Sequence, residues 1–205
     1  ILLAMPSISR KRRLEIVDYL RNFPVHVRTL PGVADMANGR VSLSDLHEVD
    51  IEDLLGRDPV APHDALLNKH IQGQVVMVTG AAGSIGSELV RQLCRFSPRR
   101  IVLLDHAETP LWLVRQEVEK SYPHVPVATS ITNVCHRRQL EESMKLYRPD
   151  VIFHAAAYKH VPLMEENPCT AVVNNVKGAM HLASLAVKYG VQRFVMVSTA
   201  QAVSP

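Results

Sequence analysis

Cysteine is scarce in this sequence, with only Cys94, Cys135 and Cys169. An odd number at wide spacings speaks against a disulfide framework and offers no zinc-ligand spacing. It fits a reducing compartment. Long hydrophobic runs are also missing: none approaches the roughly 18–20 residues that a spanning helix needs. Charge of one sign is not in excess. The 23 basic and 20 acidic residues leave a net +3, too mild for a nucleic-acid surface. No low-complexity tract or long-period repeat stands out, and no signal-peptide pattern follows the opening Ile1. The chain therefore reads as a soluble piece of something longer. What is present is ordinary for a globular protein: 47% hydrophobic and 21% charged residues. The 205 residues suit one large domain or two small ones.

Two units are expected. Residues 1–59 read as a small, partial α/β unit: an apolar run at 1–5, a helix from Ser9 to Leu20, and a strand over 25–30 stopped by Pro31-Gly32. Its basic cluster Arg10-Lys11-Arg12-Arg13 is either a solvated helix face or a patch for anionic headgroups. Residues 60–73 read as a linker. From residue 74 to 205 the chain alternates strand and helix. Strands are expected at 75–79, 101–104, 125–128, 151–154 and 193–197, and helices at 85–96, 110–121, 136–147 and 170–189. Apolar strands separated by amphipathic helices predict an α/β fold: a doubly wound, Rossmann-type parallel sheet ending after its fifth strand.

The strongest chemical signal follows the first of those strands. Val75-Val76-Met77-Val78-Thr79 runs into Gly80-Ala81-Ala82-Gly83-Ser84-Ile85-Gly86 and then a helix. Gly80 lets the chain turn off the strand, Gly83 clears space for a pyrophosphate, and Gly86 lets the helix pack closely. The N–H groups at Ser84 and Ile85 open the helix toward the phosphates. Strand before and helix after is the context that makes this pattern a dinucleotide site. Its G-x-x-G-x-x-G spacing resembles the short-chain dehydrogenase/reductase superfamily. Asp105 ends the next strand, where a carboxylate accepts both ribose hydroxyls and repels a 2′-phosphate. No arginine follows it, so NAD is expected over NADP; the alternative is a strand-end turn aspartate. At Ser130-Ile131 that superfamily often carries an aspartate reading adenine, and serine retains hydrogen-bonding capacity there.

The fourth strand leads into His154-Ala155-Ala156-Ala157-Tyr158-Lys159-His160-Val161-Pro162. Small residues at Ala155, Ala156 and Ala157 leave room for the nicotinamide half of the cofactor. The whole string resembles the HAAA(Y/H)KHVP signature of CapD-like polysaccharide biosynthesis proteins, the membrane-associated nucleotide-sugar 4,6-dehydratase/epimerase family. Asn174-Asn175-Val176-Lys177-Gly178 resembles the next helix of that family. Arg28-Thr29-Leu30-Pro31-Gly32 and residues 49–57 resemble its linker domain.

The resemblance implies a parent protein with transmembrane helices ahead of a catalytic domain on the cytoplasmic side of the bacterial inner membrane. It implies a UDP-N-acetylhexosamine substrate, bound NAD(P) and possible homo-oligomers. It places Lys159, Asn174 and Ser198 near the cofactor, with a solvated loop lysine as the alternative for Lys159. His154 and His160 lack a third ligand at metal spacing, so they read as core or loop histidines and no metal is expected.

After the fifth strand the family reads Ser-Thr-Asp-Lys-Ala-Val, whereas this chain reads Ser198-Thr199-Ala200-Gln201-Ala202-Val203. Thr199 matches the hydroxyl that bonds the sugar C4 oxygen. Ala200 and Gln201 stand at the expected acid and base positions, and neither titrates. Two readings therefore stay open: the NAD-binding part of a nucleotide-sugar enzyme, inactive as this piece, or a non-catalytic nucleotide-binding module. The KHVP string argues against a simple ketone reductase.

Overall fold

A computed structural model of the chain describes residues 2–3, 12, 15–16, 19–20, 28–29 and 64–198. The chain divides into two compact units, residues 1–61 and 62–205. In the first, strand β1 (Leu2–Leu3) pairs in parallel with β2 (Arg28–Thr29). Residues 12, 15, 16, 19 and 20 between them are helical. Two parallel strands need a crossover between them, and these helical residues fall within it; Ser9, where the helix is expected to begin, lies outside the described residues. Arg12 Nη1 contacts Glu15 Oε2 at 2.6 Å, one helical turn away.

The second unit opens with helix α1 (Asp64–Ile71), where the sequence reads as linker. This helix escapes periodicity because only its last residue is buried: Ile71 is 2% exposed and packs into the core, whereas Leu66 is exposed. Then follow β3 (Val75–Thr79), α2 (Ser84–Cys94), β4 (Arg100–Asp105), α3 (Glu108–Ser121), β5 (Val127–Ile131), α4 (Arg137–Tyr147) and β6 (Val151–His154). The chain continues through short helices α5 (Val161–Glu166) and α6 (Pro168–Ala171), a π-helical stretch (Val172–Gly178), α7 (Ala179–Lys188) and β7 (Arg193–Met196).

The five strands β3–β7 form one parallel sheet in the order β5-β4-β3-β6-β7. This is the expected Rossmann-type fold. Alternate strand residues feed opposite faces. Val76, Val78, Ile101 and Leu103 pack with Val90 and Leu93 of α2 and Leu111 of α3. Val75, Met77, Val102, Leu104 and Ile152 pack with Leu140 and Met144 of α4 and Leu182 and Leu185 of α7. Helices on both faces explain why β3 reads as an unbroken apolar run.

Two further elements differ from expectation. The third strand of the sheet lies at Val127–Ile131, not 125–128, because its register pairs Ile101 with Val127 and Asp105 with Ile131. Pairing with β4, invisible in the local pattern, sets its ends. The single helix expected over 170–189 is continuous but changes winding, its middle seven residues being π-helical. Asn167, at φ −129° and ψ 56°, separates it from α5.

Candidate functional site

Neighbouring strands β3 and β6 carry the chain to opposite sides of the sheet, β4 and β5 on one side and β7 on the other. Ligands of open α/β sheets bind at such a switch point, beyond the carboxyl ends of the strands. A cleft of about 270 Å³ lies there. Its walls include Gly80, Gly83, Asp105, Ala155, Ala156, Ala157 and Asn174, all expected from the sequence.

The glycine loop is shaped by backbone contacts. Gly80 sits at φ +69°, and a Cβ there would lie 2.7 Å from the Ala155 carbonyl oxygen. The β3 and β6 ends therefore approach more closely than a side chain permits. At Gly86 a Cβ would overlap the Gly80 carbonyl oxygen. The start of α2 is thus folded directly against the loop, with Gly83 and the first helical residues Ser84 and Ile85 exposed. No side chain caps α2. Its first N–H groups are available to an anion, as the helix dipole favours.

Asp105 is 8% exposed at the end of β4. One carboxylate oxygen accepts the Ala82 N–H at 3.0 Å, and the other accepts the Ala107 N–H at 3.0 Å. His106 Nδ1 lies 3.4 Å from Asp105 Oδ1, and His106 also lines the cleft. A carboxylate offers about four acceptor positions, so these bonds leave capacity for a ligand.

Ser130, the serine expected to read adenine, does not itself line the cleft. Ser130 Oγ lies 2.9 Å from Thr132 Oγ1 and 2.8 Å from Ser143 Oγ on α4. The three hydroxyls cluster together, Thr132 and Ser143 buried and Ser130 half-buried, Ser143 Oγ also donating to the Gln139 carbonyl at 3.1 Å, and Ile131 is exposed. The cleft is lined instead by Thr132, Asn133 and Val134, just beyond β5. Leu104, Ala107, Pro110 and Tyr158 also line it and were not expected. The signal that finds them is positional: each lies at or just past the carboxyl end of a strand.

Asn174 is buried in the π-helical stretch and lines the cleft. Lys159 is exposed beside the cleft residue Tyr158, and Ser198 is exposed beyond β7; neither lines the cleft. Thr199, Ala200 and Gln201 lie outside the described residues. His154 is 4% exposed, with Nδ1 2.6 Å from Thr79 Oγ1 across the β3–β6 pair. Burial pushes its pKa down, favouring the neutral ring. His160 precedes α5 and is exposed. Among the described residues no group of three or more His, Cys, Asp or Glu side chains is placed to hold a metal ion. Among the same residues no helix is long and apolar enough to cross a membrane.

The family described as polysaccharide biosynthesis protein matches residues 76–205, more than half of the chain. The chain belongs to that family. It is 40% identical over its whole length to the capsular polysaccharide biosynthesis protein CapD of Staphylococcus aureus, covering 34% of that relative. Over 65% of its length it is 28% identical to a UDP-N-acetylglucosamine 4,6-dehydratase (inverting) of Campylobacter jejuni, covering 38% of it. Among solved structures it resembles a UDP-glucose 4-epimerase from Stenotrophomonas maltophila with bound NAD and formylated UDP-arabinopyranose. That likeness has a TM-score of 0.57 and 25% identity, over 62% of this chain and 38% of the other. The chain thus spans about a third of the length of the curated relatives it matches.

Proposed function

We propose that the chain is the NAD-binding portion of a nucleotide-sugar 4,6-dehydratase or epimerase that modifies a UDP-N-acetylhexosamine for surface polysaccharide. The observation that carries this reading is the cleft, where a glycine cradle, a bare helix N-terminus and the Asp105 carboxylate converge. A Cβ at Gly80 would run into the Ala155–Ala156 backbone and one at Gly86 into the Gly80 backbone, so glycine at both positions lets the loop fold tightly enough to present its N–H groups to a pyrophosphate. The N–H groups at the start of α2 hold the phosphates, and the free acceptor positions of Asp105 hold the adenosine ribose. Asp105 would meet a 2′-phosphate with like charge, which favours NAD over NADP. NAD, when bound, supplies a reversible hydride acceptor. The chain's own residues bind and orient it, and Ala155, Ala156 and Ala157 leave room for its nicotinamide end.

The parent protein is proposed to act at the cytoplasmic face of the inner membrane and to self-associate. Its elimination step needs one group to take the C5 proton and another to protonate the leaving hydroxyl. Ala200 and Gln201 at those positions do neither. Loss of a positioned acid or base costs about 10²–10⁴-fold in rate, or about 3–5 kcal/mol each. That pair favours a second reading, a nucleotide-binding module without dehydratase turnover, for which Thr199 retains only a substrate contact.

Calorimetry of the chain with NAD and NADP tests the cofactor, with tighter NAD binding expected. The longer protein is then incubated with UDP-N-acetylglucosamine and the 4-keto-6-deoxy product sought. Rapid product formation by a protein carrying Ala200 and Gln201 would overturn the role given to those positions. No binding of either dinucleotide would overturn the site.

A further inference from the structure

Asn175 does not line the cleft, yet its side chain reaches a residue that does. Asn175 Oδ1 accepts the Tyr158 N–H at 2.8 Å, and Asn175 Nδ2 donates to the Tyr158 carbonyl at 2.9 Å. Both backbone groups of Tyr158 are thus satisfied by one amide, the pairing a neighbouring strand ordinarily supplies. Residues 155–160 form no helix or strand, so the loop has no ladder of its own. The same Asn175 Oδ1 also accepts Asn174 Nδ2 at 3.0 Å. Asn174 is buried in the cleft wall, and its Oδ1 lies 3.7 Å from Cys135 Sγ. One half-buried side chain therefore joins the loop after β6 to the π-helical stretch. Of these adjacent asparagines Asn175 reaches the loop and Asn174 the cleft wall, in keeping with the frequent placement of π-turns at functional sites.

We infer that Asn175 is a positioning residue of the dinucleotide site. It holds the Tyr158 backbone, and with it Ala157 and Lys159 on either side, and it orients the Asn174 amide in the cleft. The inference rests on the proposed NAD-binding reading and names a residue that pre-shapes that site. A loop already held in place loses less conformational freedom when ligand arrives.

Asn175→Ala and Asn175→Asp test it, with Val176→Ala as control on an exposed position of the same stretch. The aspartate keeps the acceptor but sets a carboxylate oxygen against the Tyr158 carbonyl, so it should lose at least as much NAD affinity as the alanine. NAD affinity, by calorimetry, is expected to drop about tenfold in Asn175→Ala. Hydrogen exchange at the Tyr158 amide should quicken about tenfold in the NAD-free protein. The control should change neither. Unchanged Tyr158 exchange in Asn175→Ala would overturn the clamp. A quickened amide with parental NAD affinity would overturn the positioning role while leaving the proposed function standing. A parent chain that bound no NAD would overturn the proposed function, and with it the site Asn175 serves.

Discussion

Asp105 Oδ2 accepts the backbone N–H of Ala82 at 3.0 Å, so the end of β4 carries part of the glycine loop. The residue expected to choose the cofactor also supports the loop proposed to hold its phosphates. Asp105→Asn removes the charge and one of the two acceptors used by Ala82 and Ala107. NAD affinity is expected to fall roughly tenfold or more, the usual scale for a lost hydrogen bond to a charged group. Discrimination against NADP should narrow, since the like charge facing a 2′-phosphate is gone. Calorimetry with both dinucleotides measures the ratio, and an unchanged ratio would contradict the selecting role.

Gly86 is the tightest contact in the loop. A methyl group there meets backbone, the Gly80 carbonyl, which has no rotamer to yield. Gly86→Ala should lower stability by about 3 kcal/mol, the upper end of ordinary overpacking costs, and abolish NAD binding. Urea denaturation gives the first quantity. A parental midpoint would show that the loop yields without cost.

Away from the cleft, Glu141 joins α4 to the end of α7. Its Oε1 accepts Lys188 Nζ at 2.6 Å and the Tyr189 hydroxyl at 2.8 Å. The Lys188 bond, then the Tyr189 bond, lower its pKa from 4.5 to about 2. A carboxylate whose folded pKa lies below its unfolded value adds stability above the unfolded value. That stability is lost as pH falls through the folded one. Parent and Glu141→Gln should therefore differ in urea midpoint at neutral pH and converge between about pH 4.5 and 2. A constant difference across that window would refute the linkage.

The cysteines should separate by reactivity. Cys94 is fully buried, and burial pushes its thiol up to about 12. Thiolate is the reacting form, so Cys94 should label with iodoacetamide only after denaturation. Cys135 is half-buried and also raised, by desolvation first, with Lys177 opposing. Cys169 is exposed and should label first. Peptide mass mapping at pH 8 gives the order.

The chain's local features were legible where one segment carried its own signal. The run 75–79, the glycines at 80, 83 and 86, and Asp105 at a strand end each announce themselves, because turn geometry and anion binding restrict residue type over a few positions. The Ala155–Ala157 stretch came from its small side chains at a strand end and Asn174 through resemblance, and both line the cleft. Helix α1 did not announce itself, since a helix burying one residue has no apolar stripe to read.

Tertiary structure decided the rest. Ser130 was expected in the adenine site; its hydroxyl lies against Thr132 and against Ser143, thirteen residues on, and Ser130 does not line the cleft. Whether a polar side chain faces a ligand or another helix depends on what folds against it. The limits of β5 follow from its register with β4, a long-range hydrogen-bond pattern. The Asn175–Tyr158 clamp joins positions seventeen apart through a side chain that no local rule marks as special. Local backbone chemistry is written in neighbouring residues, and so it names the phosphate loop. The shape of the cleft around that loop comes from segments distant in the chain, and only packing brings them together.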